Sequence, residues 1–264
     1  MTTTYSLDDL DSEGREALET LLFRLADDEF VTGERYTEWQ VVAPTLESDL
    51  AISNIAQDEF GHARLWYDLL EEMGYTESEL IYERDPTDFR HATLTELPIE
   101  EGEWANTIVR SYLYDIAEQL RLEAIEDSTY TRLQDRVGKV LSEEEYHREH
   151  AQNWLERIAE SEKGRSKLQT ATNDLMPYAL TLFEPVDEEI ETRIAEYGFR
   201  QSSLDELREQ WLEIVVSFLD SLDITVNEPT IVDPVGRDGS HTEAWDELHD
   251  EITHTYHELG RSET

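Results

Sequence analysis

Two acids and a histidine recur in this chain at intervals that could hold a pair of metal ions. Glu29 is followed thirty residues later by Glu59-Phe-Gly-His62, and Asp115 is followed twenty-nine residues later by Glu144-Glu-Tyr-His147. On a helix, Glu-x-x-His puts both side chains on one face, one turn apart, so an imidazole and a bridging carboxylate can reach the same ion. A lone acid, then a helix length and a turn, then Glu-x-x-His makes half of a carboxylate-bridged di-iron site. Two halves inside a four-helix bundle complete it. Hard oxygen and borderline nitrogen donors suit iron that cycles between ferrous and ferric states. Oxygen chemistry is therefore expected if Glu29, Glu59, His62, Asp115, Glu144 and His147 converge.

The motif alone is weak in so acidic a chain. Glu251-x-x-His254 is a third instance, set aside as chance. The first two sit midway along long apolar-periodic stretches, where an unpaired carboxylate is costly to bury. Glu118 lies one turn from Asp115 on the same face and stays open as the alternative ligand. Glu34, Glu38, Glu143, Glu145 and Glu149 read as solvated faces. His150 reads as a surface group or a neighbour of His147, and His241, His249, His254 and His257 as surface groups. Tyr36, Trp39, Trp66, Tyr67, Tyr112 and Trp154 read as core or groove packing. Ligand histidines must be neutral, so metal affinity is expected to fall below about pH 6.

Apolar residues at three- and four-residue spacing predict an all-α chain. The first helix is expected from Asp11–Ser12 to Val42, stopped by Ala43-Pro44, with Leu18, Leu22, Leu25, Phe30 and Trp39 inward. The second runs from an N-cap at Thr45 to Met73, ended by Gly74, with Leu50, Ile52, Ile55, Phe60, Leu65, Trp66 and Leu69 inward. A long loop over 75–100 separates it from a third helix (103–127) and a fourth (130–160), the latter with Tyr146 and Trp154 inward. Shorter helices are expected over 166–183, 187–197 and 203–222. An irregular stretch (223–240) and a last helix (241–260) complete the chain. With no Gly/Ser-rich linker, 1–264 reads as one continuous domain, a bundle over about 11–161 and a helical extension over about 165–260.

The chain carries 63 acidic residues against 21 basic ones, a net charge of -42, and no cysteine. Such self-repulsion is screened in molar salt, where the Debye length is about 3 Å. The acids are spread along the chain, which fits a salt-loaded cytoplasm better than an acidic tail for basic partners. No basic stripe exists to neutralise phosphates, so nucleic acid is not an expected partner. Lack of cysteine excludes disulfides, zinc ribbons, iron–sulfur ligation and thiol nucleophiles. The N-terminal residues lack a signal-peptide pattern, and no apolar run approaches the ~18 residues of a membrane span. A cytoplasmic protein is expected.

Several stretches resemble the ferritin-like subunits of the bacterial phenylacetyl-CoA epoxidase family. The C-type subunit is resembled at Gly33-Glu-Arg-Tyr-Thr-Glu-Trp-Gln-Val-Val-Ala-Pro44, Leu46-Glu-Ser-Asp-Leu-Ala-Ile-Ser-Asn-Ile-Ala56 and Gly61-His-Ala-Arg64. Tyr146-His147, Trp154-Leu-Glu-Arg157 and Gly239-Ser-His-Thr-Glu243 resemble it too. Gln57-Asp-Glu59-Phe-Gly-His62 instead resembles the A-type motif, as do Asp28-Glu29, Asp115, Glu144 and His147 at their intervals. The resemblance implies a ferritin-like fold and a multicomponent di-iron monooxygenase of phenylacetate degradation. It further implies ring 1,2-epoxidation of a coenzyme A thioester. Glu29, Glu59 and His62 would hold one iron and Asp115, Glu144 and His147 the other, with Glu59 and Glu144 bridging as the catalytic pair. The chain has no flavin motif, so electrons would come from a separate reductase, and other epoxidase subunits or a second copy are expected partners. Two alternatives remain: a metal-free structural partner in the same complex, and ferritin-like iron oxidation or storage. Arg64, Arg148, Arg157, Lys163 and Lys167 are the candidate contacts for coenzyme A.

Overall fold

Short polar side chains stand where the long helices begin. In the computed structural model, which describes residues 4–40, 42–99 and 104–262, α1 (Ser12–Thr37) starts after Asp11, whose carboxylate accepts the Gly14 N–H at 2.9 Å. Thr45 does the same for α2 (Leu46–Met73) through the Ser48 N–H, and Gly74 ends that helix at φ 117°, where a side chain would be strained. Two short helices follow, α3 (Glu77–Ile81) and α4 (Thr93–Glu96), then α5 (Trp104–Glu123) and α6 (Thr131–Ala159). The remainder is α7 (Glu162–Ala179), α8 (Glu188–Glu196), α9 (Leu204–Ser221) and α10 (Glu243–Ser262). The fold is all-α, and among the described residues the only β-type pairing is an isolated bridge between Tyr5 and Tyr130.

The hairpin α1–α2 and the hairpin α5–α6 face each other through α2 and α6, giving the four-rod bundle expected from the motif spacing. α7 and α9 cover the outer face of α5, and the Trp211 indole N–H donates to the Leu113 carbonyl at 2.9 Å. Ser161 caps α7, which begins four residues earlier than expected. Gly164 permits this start, because a Cβ there would stand 1.8 Å from the Ile158 carbonyl oxygen.

Two apolar clusters fill the bundle. One contains Leu18, Leu22, Leu25, Phe30, Trp66, Leu70, Val137 and Val140. The other contains Tyr36, Ile52, Ile55, Ile108, Tyr112, Ala151 and Leu155, joined by Leu168, Leu207 and Trp211 from the later helices. On α1 the change from one cluster to the other falls just past Glu29, between Val31 and Tyr36, and on α2 and α6 it falls at Glu59–His62 and at Glu144–His147. A polar layer thus interrupts the core at one depth.

The structure corrects several expectations. α1 stops at Thr37 rather than Val42, and a run of turns follows, although Trp39 stays buried with its indole N–H on Thr107 Oγ1 at 2.7 Å. Leu50 and Tyr146 do not face inward; they are 57% and 47% exposed, on the outer faces of α2 and α6. The 75–100 loop contains two helices, and its residues 91–96 are buried. The expected loop end at Glu100 and helix start at Glu103 lie outside the described residues.

Candidate metal centre

All six motif residues are buried: Asp115 is 2% exposed and Glu29, Glu59, His62, Glu144 and His147 are 0% exposed. Glu29, Glu59, His62 and Glu144 each present a ligand atom, and these atoms lie within 4.8 Å of one another. His62 Nδ1 lies 3.5 Å from Glu29 Oε2 and 3.3 Å from Glu144 Oε1. His147 Nδ1 lies 3.0 Å from the same Glu144 oxygen and 3.5 Å from Glu59 Oε1. Glu144 therefore stands between the two imidazoles, whose ring centres are 6.0 Å apart.

These contacts lack the alignment of hydrogen bonds. Both carboxylate oxygens of Glu29, Glu59 and Glu144, Oδ1 of Asp115, and Nδ1 of His62 and His147 have no hydrogen-bond partner. Buried polar atoms are almost always satisfied, and so many orphaned acceptors facing one another would be costly. Divalent cations would satisfy the clustered atoms of Glu29, Glu59, His62, Glu144 and His147 together. The donor set fits iron.

The far nitrogens are held across the bundle. His62 Nε2, on α2, lies 3.0 Å from Glu143 Oε2 on α6, while His147 Nε2, on α6, lies 3.4 Å from Asp58 Oδ2 on α2. Each acid directly precedes the glutamate of the opposite motif. Donation from Nε2–H fixes the tautomer and leaves the Nδ1 lone pair directed at the carboxylates. Glu143 is thus not a merely solvated group. It is also anchored by Lys139 Nζ at 3.1 Å.

Glu118 shares the buried face with Asp115, but its Oε2 is committed to Arg121. Asp115 forms no ion pair among the described residues.

The cluster's charges oppose one another. Burial disfavours imidazolium, yet Glu29 and Glu144 outweigh it and hold His62 up at about 11. Glu144 and Asp58 similarly hold His147 up at about 10. Burial and the neighbouring Glu29 push Glu59 well above the carboxylate range, and burial with Glu144 does so for Asp115. Glu144 goes the other way, to about 2, because the two imidazoles outweigh its burial. Protons therefore supply the positive charge when no cation does. For a raised pKa, the stabilisation from the charged imidazole is complete below the ordinary value of 6.5 and disappears as pH rises through about 10 to 11. Metal must displace those protons. Loading at pH 7 to 8 in weak buffer is expected to release about one to two protons per ion. Affinity should keep rising with pH well above the window expected from free histidine. Loading without acidification of the solution would contradict this charge balance.

The other histidines sort differently from expectation. His241 and His249 are buried rather than on the surface, whereas His254 and His257 are exposed as expected. His91, unremarked in the sequence, donates from Nε2 to Glu96 Oε2 at 2.7 Å, and His241 reaches the same oxygen from Nδ1 at 2.7 Å. Their rings stack at 4.3 Å, and Glu96 Oε1 accepts the Thr242 N–H. Apart from His91 Nδ1, which has no partner, these groups meet at hydrogen-bond distance, unlike those of the polar layer, so the trio reads as a latch between the 91–96 segment and the start of α10. His150 is half-buried, and burial followed by the charge of His147 pushes it down to about 4.

The candidate coenzyme A contacts do not share one groove. Arg64 is engaged by Asp68, Glu71 and Glu77. Arg157 lies over Trp154 beside a groove of about 430 Å³, while Lys167 lines a separate one of about 570 Å³ between α7 and Leu97. No helix of the described residues is long and apolar enough to cross a membrane.

Over 223 residues the chain is 30% identical to the C-type subunit of the 1,2-phenylacetyl-CoA epoxidase of Escherichia coli (strain K12), covering 83% of this chain and 88% of that protein. It is 24% identical over 196 residues to the A-type subunit of the same enzyme, covering 73% of this chain and 63% of that protein. Residues 1–261 match the model of the phenylacetic acid catabolic proteins. The chain belongs to the phenylacetic acid catabolic protein family.

Proposed function

We propose that this chain is one component of a phenylacetyl-CoA epoxidase complex and that it carries a di-iron centre of its own. The observation that supports this most is the set of buried, unpartnered donors on Glu29, Glu59, His62, Asp115, Glu144 and His147. Glu29, Glu59 and His62 would hold one iron and Asp115, Glu144 and His147 the other, with Glu59 and Glu144 as bridges. Asp115 is preferred to Glu118 because Arg121 already neutralises Glu118. When bound, the ions would supply the two electrons that activate dioxygen for ring epoxidation.

The protein's own part is narrower. Glu143 and Asp58 orient the imidazoles, the two apolar clusters on either side exclude water, and Glu144 holds its negative charge at low pH. The chain has no cysteine for an iron–sulfur relay, so reducing equivalents would arrive from a separate reductase. Residues 1–264 would act as one continuous domain alongside partner subunits in a high-salt cytoplasm, where the net charge of -42 is screened.

A second reading makes the chain a metal-free structural partner. It draws on the higher identity to the C-type relative, 30% against 24% for the A-type one. Turnover separates the two. The chain, combined with partner subunits, reductase, phenylacetyl-CoA and oxygen, is expected to form the epoxide, and Glu144→Ala is expected to lower turnover by at least about a thousandfold. Unchanged turnover with Glu144→Ala would favour the structural partner.

A further inference from the structure

A small cavity between α1, α4 and α5 is lined by donors with nothing to receive them. Arg110, Thr32 and Tyr114 are 4%, 5% and 1% exposed, and each contributes to its wall, with Leu94 and Arg35. Arg110 Nη2, Thr32 Oγ1 and the Tyr114 hydroxyl have no hydrogen-bond partner. Tyr36, also on the wall, donates its hydroxyl to Ser111 Oγ at 2.8 Å. None of the six metal-centre residues lines this space.

The charges are equally one-sided. Arg35 is compensated by the Glu38 carboxylate and by the carbonyls of Glu96 and Ala244. Among the described residues Arg110 donates only to the Leu97 carbonyl and forms no ion pair; Glu38, already paired with Arg35, acts on it at longer range. A guanidinium is a donor only, and a buried one without a counter-charge is strongly disfavoured. Water could accept its hydrogen bond but could not neutralise it. Burial in the first place, and Arg35 as well, hold Arg110 down at about 10. An anion in the cavity would reverse that.

We propose that Arg110, Thr32 and Tyr114 form a site for one small monovalent anion of halide size, such as chloride. The cavity leaves about 10 Å³ for the centre of a water-sized occupant, which limits it to a single-atom occupant and excludes a phosphate or carboxylate. The net charge of -42 does not forbid it. A guanidinium in direct contact within a low-dielectric wall acts at shorter range than the buried carboxylates of Glu29, Glu59, Asp115 and Glu118 that bear on Tyr36 and Tyr114, while exposed acids are screened.

Crystals soaked in bromide test the site directly. Anomalous scattering should place one bromide within hydrogen-bond reach of Arg110 Nη2 and the two hydroxyls; a water there, with no anomalous signal, would overturn the proposal. A chloride titration at constant ionic strength, with gluconate as the excluded counter-anion, gives a second reading. The unfolding midpoint of the wild type should rise and saturate. Thr32→Val, which keeps the side chain's shape, should need about tenfold more chloride for the same rise. Identical titrations for the two proteins would also overturn it.

Discussion

Asp28→Ala is expected to cost about 3–5 kcal/mol of folding stability, among the largest losses available from one side chain in this fold. Asp28 is fully buried and accepts from Arg121 Nη1 at 2.5 Å, from Arg237 Nη1 and Nη2 at 3.0 and 2.7 Å, and from the Ala92 N–H at 2.8 Å. Removing it strands the Arg237 guanidinium, which has no exposed surface, and leaves Arg121 with Glu118 as its one remaining ion pair among the described residues. Burial alone would raise the Asp28 pKa, but Arg237 and Arg121 outweigh it and hold the group at about 2, below the ordinary 3.8. Because the folded value is depressed, the stabilisation is complete above 3.8 and lost as pH falls toward 2. The deficit of the variant should therefore be full at pH 7 and shrink below pH 4. Denaturant unfolding at pH 7 with coincident midpoints for variant and wild type would refute the account of this network. Asp28 adjoins Glu29, and Arg237 comes from the irregular stretch before α10, so the variant should also loosen the first ligand helix.

His62→Ala and His147→Ala should each remove most of the bound iron while leaving the helical circular dichroism nearly unchanged. Each substitution deletes a metal donor from a layer that is already interrupted by polar side chains, so little apolar packing is lost with it. Glu143→Gln should act more mildly. It keeps the volume, weakens the acceptor for His62 Nε2–H and gives up the exposed ion pair with Lys139, an effect of about 10- to 100-fold in metal affinity. Iron measured per chain after purification from iron-replete cells decides the matter. Full occupancy in either histidine variant would remove that residue from the ligand set.

The sequence made the bundle and its ligand layer legible for a physical reason. A helix repeats its face every three to four residues, so an acid and an imidazole that must share one ion are confined to a fixed spacing. Asp11, Thr45 and Gly74 marked helix ends because they act on the backbone beside them. The end of α1 was misplaced because burial of Trp39 and its bond to Thr107 draw the chain out of the helix before Ala43-Pro44 is reached. The 75–100 segment looked irregular because what orders it is remote. The Asp27 carboxylate on α1 accepts Arg84 and the Arg90 N–H, Asp28 accepts the Ala92 N–H, and His91 meets Glu96 and His241. The roles of Asp58 and Glu143 were not legible for a similar reason. Each serves a histidine on the facing helix, and an acid beside an acid says little in a chain with 63 of them.

Iron analysis of the purified wild-type chain, loaded anaerobically with ferrous iron above pH 7, tests the central claim most directly. Two irons per chain are expected, with loss of both on acidification as the imidazoles regain their protons. A chain that stays free of metal under those conditions would contradict the claim.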